Sequence, residues 1–348
     1  PTSDDPAAAA LRGDSPAALA PGGSLFSQAV TYRPPAMRVL TRATARRVVE
    51  DLADLEGADA DRPVDVVHVF GGGAWRLGLE VACLTGAGLA LEVWRTGLIP
   101  RARALHARVV EGRSGGVTPV FIAPDAGIEA ALRRVAPERL VKAAPWGVHA
   151  PAAPREILEP ERAPSVMVVG SGRDAKAIGA ALEGLAACVR DRPEMLIFMD
   201  ALACQRANAW SVARRAGLLG NLSLIHELEG RRDLLVRGDV LVQPEAHGEQ
   251  RSILLDAMAA GMAVVAGADP GVTSLVDGVT ARLVSQPTRG AWALAVGKVL
   301  SDREWALSLG RSAWRYAHDQ RRASDHVRAV LAAYEQIASG AALPFPGG

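Results

Sequence analysis

Glu249, Ser252 and Asp256 fall at i, i+3 and i+7 in the stretch "PEAHGEQRSILLDAMAAGM", residues 244–262. Helical periodicity would place all three on one face, with Leu254, Leu255, Ala257 and Met258 on the others. Two carboxylates and a hydroxyl so arranged either hold a ligand or form a solvated helix face. The helix follows the apolar run "DVLVQP" and so begins at the carboxyl edge of a predicted parallel sheet, where ligands gather. Small residues through "AMAAG" permit close helix–sheet packing, and Gly261 is the expected C-cap. His247 lies in the loop before it.

The turn Gly170-Ser171-Gly172-Arg173-Asp174-Ala175-Lys176 also follows a buried strand and opens a helix. Free N–H groups and the positive end of a helix dipole favour an anion there, and phosphate is the expected guest. Among 39 basic residues only Lys142, Lys176 and Lys298 are lysines, so the lysine in this turn stands out. The letters also fit a loose G-x-G-x-x-A dinucleotide fingerprint. Asp200, however, lies about thirty residues on rather than the ~20 of that pattern, which leaves an NAD-dependent oxidoreductase as a remote alternative. Gly71-Gly72-Gly73 after "VVHVF" either lets a second substrate approach the backbone or simply turns the chain. Trp94 and Arg95 after "LALEV" either stack on and hydrogen-bond a sugar or belong to the core. His68, inside a strand, reads as a core histidine. Asp59-Ala60-Asp61 precedes its strand and reads as a loop rather than a metal motif. There is no G-x-S-x-G elbow, and Cys83, Cys188 and Cys204 match no zinc spacing.

The elements that must position these residues are legible in the apolar runs. After a helix at "ATARRVVEDLADL", strands are predicted at "VDVVHVF", "LALEVW", "VTPVFIA" and "LVKAAPW", with helices between them. The proline-rich "APAAPREILEPERAP" reads as a linker. Six more strands follow at "SVMVVG", "EMLIFMD", "LSLIHEL", "DVLVQP", "MAVVAG" and "ARLV". Alternating strands and helices predict an α/β protein of two Rossmann-like, doubly wound units facing across a cleft. The expected divisions are a flexible leader at 1–23, an N-terminal domain at 24–150, a C-terminal domain at 151–320 and a helix at 321–340 that packs back across both. A net charge of +1 speaks against a nucleic-acid partner. No run reaches the ~18–20 apolar residues of a spanning helix.

From Pro244 to Val284 the chain resembles the donor-site region of retaining GT-B glycosyltransferases of group 1, glycosyltransferase family 4. The matching letters are Ala257-Met258-Ala259-Ala260-Gly261, Val264-Val265, Val276-Asp277-Gly278, Thr280 and Leu283-Val284. "PWGVH" at 145–149 resembles the family's interdomain signature, and "RGDVLVQP" at 237–244 its Ala-Asp-x-x-x-x-Pro run. The lysine six residues after Gly170 is also kept.

The resemblance implies transfer of a sugar from a nucleoside-diphosphate donor to a hydroxyl of a sugar or glycan acceptor, with retention. No cofactor or metal is expected. The C-terminal domain would bind the donor through Gly170, Ser171, Gly172, His247, Gly248, Gln250, Arg251, Ser252 and Asp256. Asp256 would hold the ribose, Lys176 and Arg173 would stabilise the leaving diphosphate, and Glu249 would border the sugar. Gly72, Gly73, Trp94 and Arg95 would lie on the acceptor side of a shortened N-terminal domain. The implied setting is cytoplasmic, at the inner face of the membrane if the acceptor is lipid-linked.

This sequence departs from the family at three places. Gly248 stands where the first of two glutamates eight positions apart is expected, one residue before Glu249. Gln250-Arg251 replaces Phe-Gly, and Ser171 takes the place of a phosphate-binding arginine. The alternative implied by these departures is a glycosyltransferase-like binding protein with weakened or lost activity.

Overall fold

A computed structural model describes residues 38–53, 64–226, 235 and 237–339. The leader and the Asp59–Asp61 loop lie outside the described residues. In chain order the N-terminal elements are α1 (Arg38–Ala53), β1 (Val66–Val69), α2 (Trp75–Thr85), β2 (Gly88–Glu92), α3 (Ile99–Val110), β3 (Pro119–Ala123), α4 (Ala126–Arg133) and β4 (Val141–Ala143). The four strands pair in parallel in the order β1-β2-β3-β4. Each right-handed crossover steps the same way, so α2, α3 and α4 all land on one face. Leu89, Leu91 and Phe121 point into that layer against Trp75, Leu79, Leu105, Ile128 and Leu132.

The period of two leaves Ala90, Val120 and Ile122 on the opposite face. That face is covered from far along the chain, by Ala333 and Ile337 of the last helix, α11 (Ala323–Ala338). A buried polar chain fixes the helix there. Tyr334 Oη lies 2.5 Å from His68 Nδ1, His68 Nε2 lies 3.0 Å from Glu92 Oε2, and Trp146 Nε1 donates to Glu92 Oε1 at 2.5 Å. His68 is thus a core histidine with both ring nitrogens engaged.

The second sheet contains β5 (Ser165–Val168), β6 (Leu196–Asp200), β7 (Leu222–Ile225), β8 (Val240–Gln243), β9 (Ala263–Gly267) and β10 (Arg282–Val284). Its order is β10-β9-β8-β5-β6-β7, all parallel. The order reverses between β5 and β8, which opens a crevice at their carboxyl ends. Helices α5 (Ala175–Asp191), α6 (Ala201–Arg206), α7 (Ala209–Ala216) and α9 (Arg289–Ser301) cover one face. Helix α8 (Ser252–Ala259) and α10 (Arg303–Gln320) cover the other. Each of the ten apolar runs predicted as a strand overlaps one, β2 beginning one residue early at Gly88.

The two sheets are tied at several points. Asp125, the N-cap of α4, accepts from Gly127 N at 2.8 Å and Thr273 Oγ1 at 2.8 Å, and pairs with Arg321 at 3.2 Å. Arg321 is itself buried, between α10 and α11, and its Nε donates to Tyr316 Oη at 2.7 Å. The segment between β4 and β5, residues 144–164, is termed the hinge, and its Val148 pairs through its backbone with Arg321 and Ala323. The helical end of the chain therefore braces both units.

Candidate functional site

The crevice at β5 and β8 holds a cavity of about 290 Å³. Its walls are Val169, Gly170, Ser171 and Arg173 after β5, Asp200, Leu202 and Arg206 at β6–α6, and Glu249, Arg251 and Ile253 after β8. Trp94 closes it from the N-terminal unit. The sequence predictions are therefore brought together in part. Gly170, Ser171, Arg173, Glu249, Arg251 and Trp94 share one wall-to-wall space. Asp200 and Arg206, not anticipated as site residues, join them.

The expected helix over 249–256 begins only at Ser252, which corrects the shared-face prediction. Residues before it are extended: Arg251 has φ −132° and ψ 123°, and Glu249 forms an isolated antiparallel bridge with Arg95. The cause is pairing between the two units. Gln250 N donates to Trp94 O at 2.8 Å, Thr96 N to Gly248 O at 3.0 Å, and Thr96 Oγ1 to His247 O at 3.0 Å. Strand-like hydrogen bonds to a neighbouring segment hold the backbone straight where its own sequence would start a helix.

Gly248 occupies the centre of this contact. Its φ of +59° lies in the left-handed region, and a Cβ there would overlap the Thr96 side chain, with Thr96 Cβ at 2.9 Å. Its N–H donates to Asp269 Oδ2 at 2.7 Å, and a Cβ on Gly271 would stand 2.6 Å from its Cα. A side chain at 248, glutamate included, would be strained in this conformation and would force Thr96 to shift. Glu249 sits one residue later beside the cavity, 2.7 Å from Arg251 and 4.0 Å from Arg173. Gln250 is buried and donates through Nε2 to Gly271 O at 3.1 Å, so it braces the loop.

The glycine turn is already occupied by an anion from the chain itself. Glu245, 4% exposed, accepts from the N–H of Ser171, from Ser171 Oγ at 3.0 Å and from Asp174 N at 2.8 Å, with Arg251 Nη2 at 3.4 Å. Burial pushes its pKa up, but the Asp174 and Ser171 hydrogen bonds and Arg251 outweigh this and hold it below the ordinary carboxylate range. Gly172 has φ +77° and packs on Ala203 and Arg206. Asp174 caps α5 by accepting from Ala177 N at 2.9 Å, with His247 Nε2 3.4 Å from its other oxygen. His247 is exposed.

The remaining predicted residues lie elsewhere. Lys176, on the first turn of α5, is exposed and does not line the cavity. Asp256 borders a second cavity of about 570 Å³, with Gly147, Val148, His149 and Pro151 of the hinge, Arg155 and Leu235. Ser252 is exposed at the start of α8. Gly72 is buried and its carbonyl accepts from Arg101, while Gly73 is exposed with open space beside it. Arg95 lies with its guanidinium 5.1 Å from the Trp94 ring centre. Among the described residues no cluster of three or more His, Cys, Asp or Glu is placed to hold a metal ion. Among them no helix is long and apolar enough to cross a membrane.

The site thus presents three guanidinium groups, Arg173, Arg206 and Arg251, around one cavity, with Glu249 among them and an indole at the rim. Guanidinium forks suit phosphate oxygens, and an indole face suits a sugar or base. Glu245 was missed because its signal is faint: it is one acid directly after Pro244, at the carboxyl end of a fully buried strand.

Comparison with known proteins bears on what this arrangement serves. Residues 163–302 match the family model described as Glycosyl transferases group 1. No curated protein matches the chain in sequence. Among solved structures it is similar to sucrose-phosphate synthase from Thermosynechococcus elongatus, with 16% identity and TM-score 0.65 over 87% of this chain and 80% of that one. It is also similar to Anabaena HepE in complex with UDP-glucose, with 14% identity and TM-score 0.64 over 84% and 82%. A glycosyltransferase from Rickettsia africae ESF-5 aligns with 12% identity and TM-score 0.61 over 90% and 84%. At such identities these structures speak to fold. Residues 163–302 thus match a group 1 glycosyl transferase domain, and the chain as a whole has the two-domain GT-B fold.

Proposed function

We propose that the protein is a glycosyltransferase that takes a nucleoside-diphosphate sugar at the β5–β8 crevice and passes the sugar to a hydroxyl acceptor approaching past Trp94. The observation that carries this reading is the convergence of Arg173, Arg206 and Arg251 on the cavity at the sheet's switch point. In transfer, negative charge grows on the leaving diphosphate, and fixed guanidinium groups stabilise it electrostatically without a metal. Glu249, held by Arg251 at 2.7 Å, would lie beside the sugar as its hydrogen-bond acceptor. Walls drawn from both units would exclude water and so limit hydrolysis of the donor. Retention of configuration is carried over from the family resemblance alone.

One observation favours a second reading, nucleotide-sugar binding without transfer: Thr96 fills the space into which a side chain at 248 would project. A transfer assay across a panel of nucleotide sugars, run beside calorimetric titration of UDP and GDP, separates the two. Turnover of any donor supports the enzyme; tight binding with no turnover or hydrolysis of any donor supports the second reading.

A further inference from the structure

We propose that Glu245 is a built-in counter-anion that denies the glycine turn to phosphate, leaving a donor's phosphates to the arginine side chains of the cavity; this rests on the nucleotide-binding reading above. A strand–glycine turn–helix unit ordinarily offers its first backbone N–H groups to an anion. Here four of those donors are already bound within the chain. Ser171 N and Asp174 N go to the Glu245 carboxylate, Arg173 N lies 3.2 Å from Ser171 Oγ, and Ala177 N lies 2.9 Å from Asp174 Oδ1. A Cβ on Gly170 would stand 2.8 Å from Glu245 Oε2, so the carboxylate presses against the turn's backbone, where a phosphate oxygen would otherwise sit.

The carboxylate does more than fill space. It keeps its charge, since the bonds from Ser171 and Asp174 and the nearby Arg251 all favour the ionised form. A phosphate brought to the turn would meet a like charge and would have to break three hydrogen bonds to displace it. The guanidinium groups that remain are Arg173 and Arg206, with Arg251 shared between Glu245 and Glu249. Phosphate recognition in this chain is thereby moved from backbone to side chains, and Glu245 sets how tightly a diphosphate is held.

The test is calorimetric titration of UDP, GDP and uridine into the wild-type protein, Glu245→Ser and Glu245→Gln, each checked for native circular dichroism. Serine empties the cradle; glutamine keeps the volume and removes the charge. The expected result is UDP binding at least tenfold tighter in Glu245→Ser, a smaller gain in Glu245→Gln, and uridine affinity unchanged in both. UDP affinity that is unchanged or weaker in both folded variants, while the wild-type protein binds UDP, overturns the proposal and leaves the nucleotide reading standing. Failure of all three proteins to bind UDP or GDP overturns the nucleotide reading, and this proposal with it.

Discussion

Replacing Gly248 with alanine probes the contact that separates this site from the pattern it resembles. The alanine must adopt φ +59°, a left-handed conformation that costs an L-residue about 1–2 kcal/mol. Its Cβ would also overlap the side chain of Thr96, and overpacking of this kind costs about 1–3 kcal/mol. The single variant should therefore lose about 2–5 kcal/mol, the sum of those two ranges. In a Thr96→Gly background the steric part disappears and only the backbone part remains. A double-mutant cycle should give a coupling of about 1–3 kcal/mol between the two positions. Urea unfolding followed by tryptophan fluorescence is the assay, with Trp94 at the contact as a local reporter. Equal cost of Gly248→Ala in both backgrounds would refute the reasoning, because it would mean that Thr96 does not fill the space at 248.

Other perturbations read separate parts of the structure. Glu245 has a lowered pKa, so its stabilisation is present above the ordinary carboxylate value of 4.5 and is lost as pH falls through its lower folded value. Glu245→Gln should be less stable at pH 7 and show a shallower loss of stability on acidification, read by urea midpoints from pH 7 to pH 3. Asp125→Ala leaves buried Arg321 without its carboxylate and should cost about 3–5 kcal/mol in urea unfolding; a cost under about 1 kcal/mol would mean that the pair does not join the units. Arg206→Ala, at an exposed side chain on the cavity wall, should weaken UDP binding by about 1.5–3 kcal/mol, the worth of a charge-assisted hydrogen bond, while stability stays within about 0.5 kcal/mol.

The fold was legible because each strand is a short apolar run bounded by turn residues, from Val66–Val69 to Arg282–Val284. Local pattern suffices when both faces of a strand are buried. The glycine turn and its helix were legible for the same reason. What eluded the sequence depends on partners distant in the chain. Residues 249–251 have a composition that continues into helix α8, yet pairing with Trp94–Thr96, about 150 residues earlier, draws them straight. The occupant of the glycine turn is likewise a single acid 71 to 74 positions away from the groups it binds. Asp256, placed by helical periodicity on one face with Glu249, instead borders the hinge cavity, and Glu249 lies outside the helix that was to align them.

The central claim is that the arginine-lined crevice between β5 and β8 receives a nucleotide. A crystal structure of the protein soaked with UDP tests it most directly. The account predicts the diphosphate among Arg173, Arg206 and Arg251, beside Trp94 and outside the turn held by Glu245. A diphosphate bound in the hinge cavity beside Asp256, with the crevice empty, would contradict it.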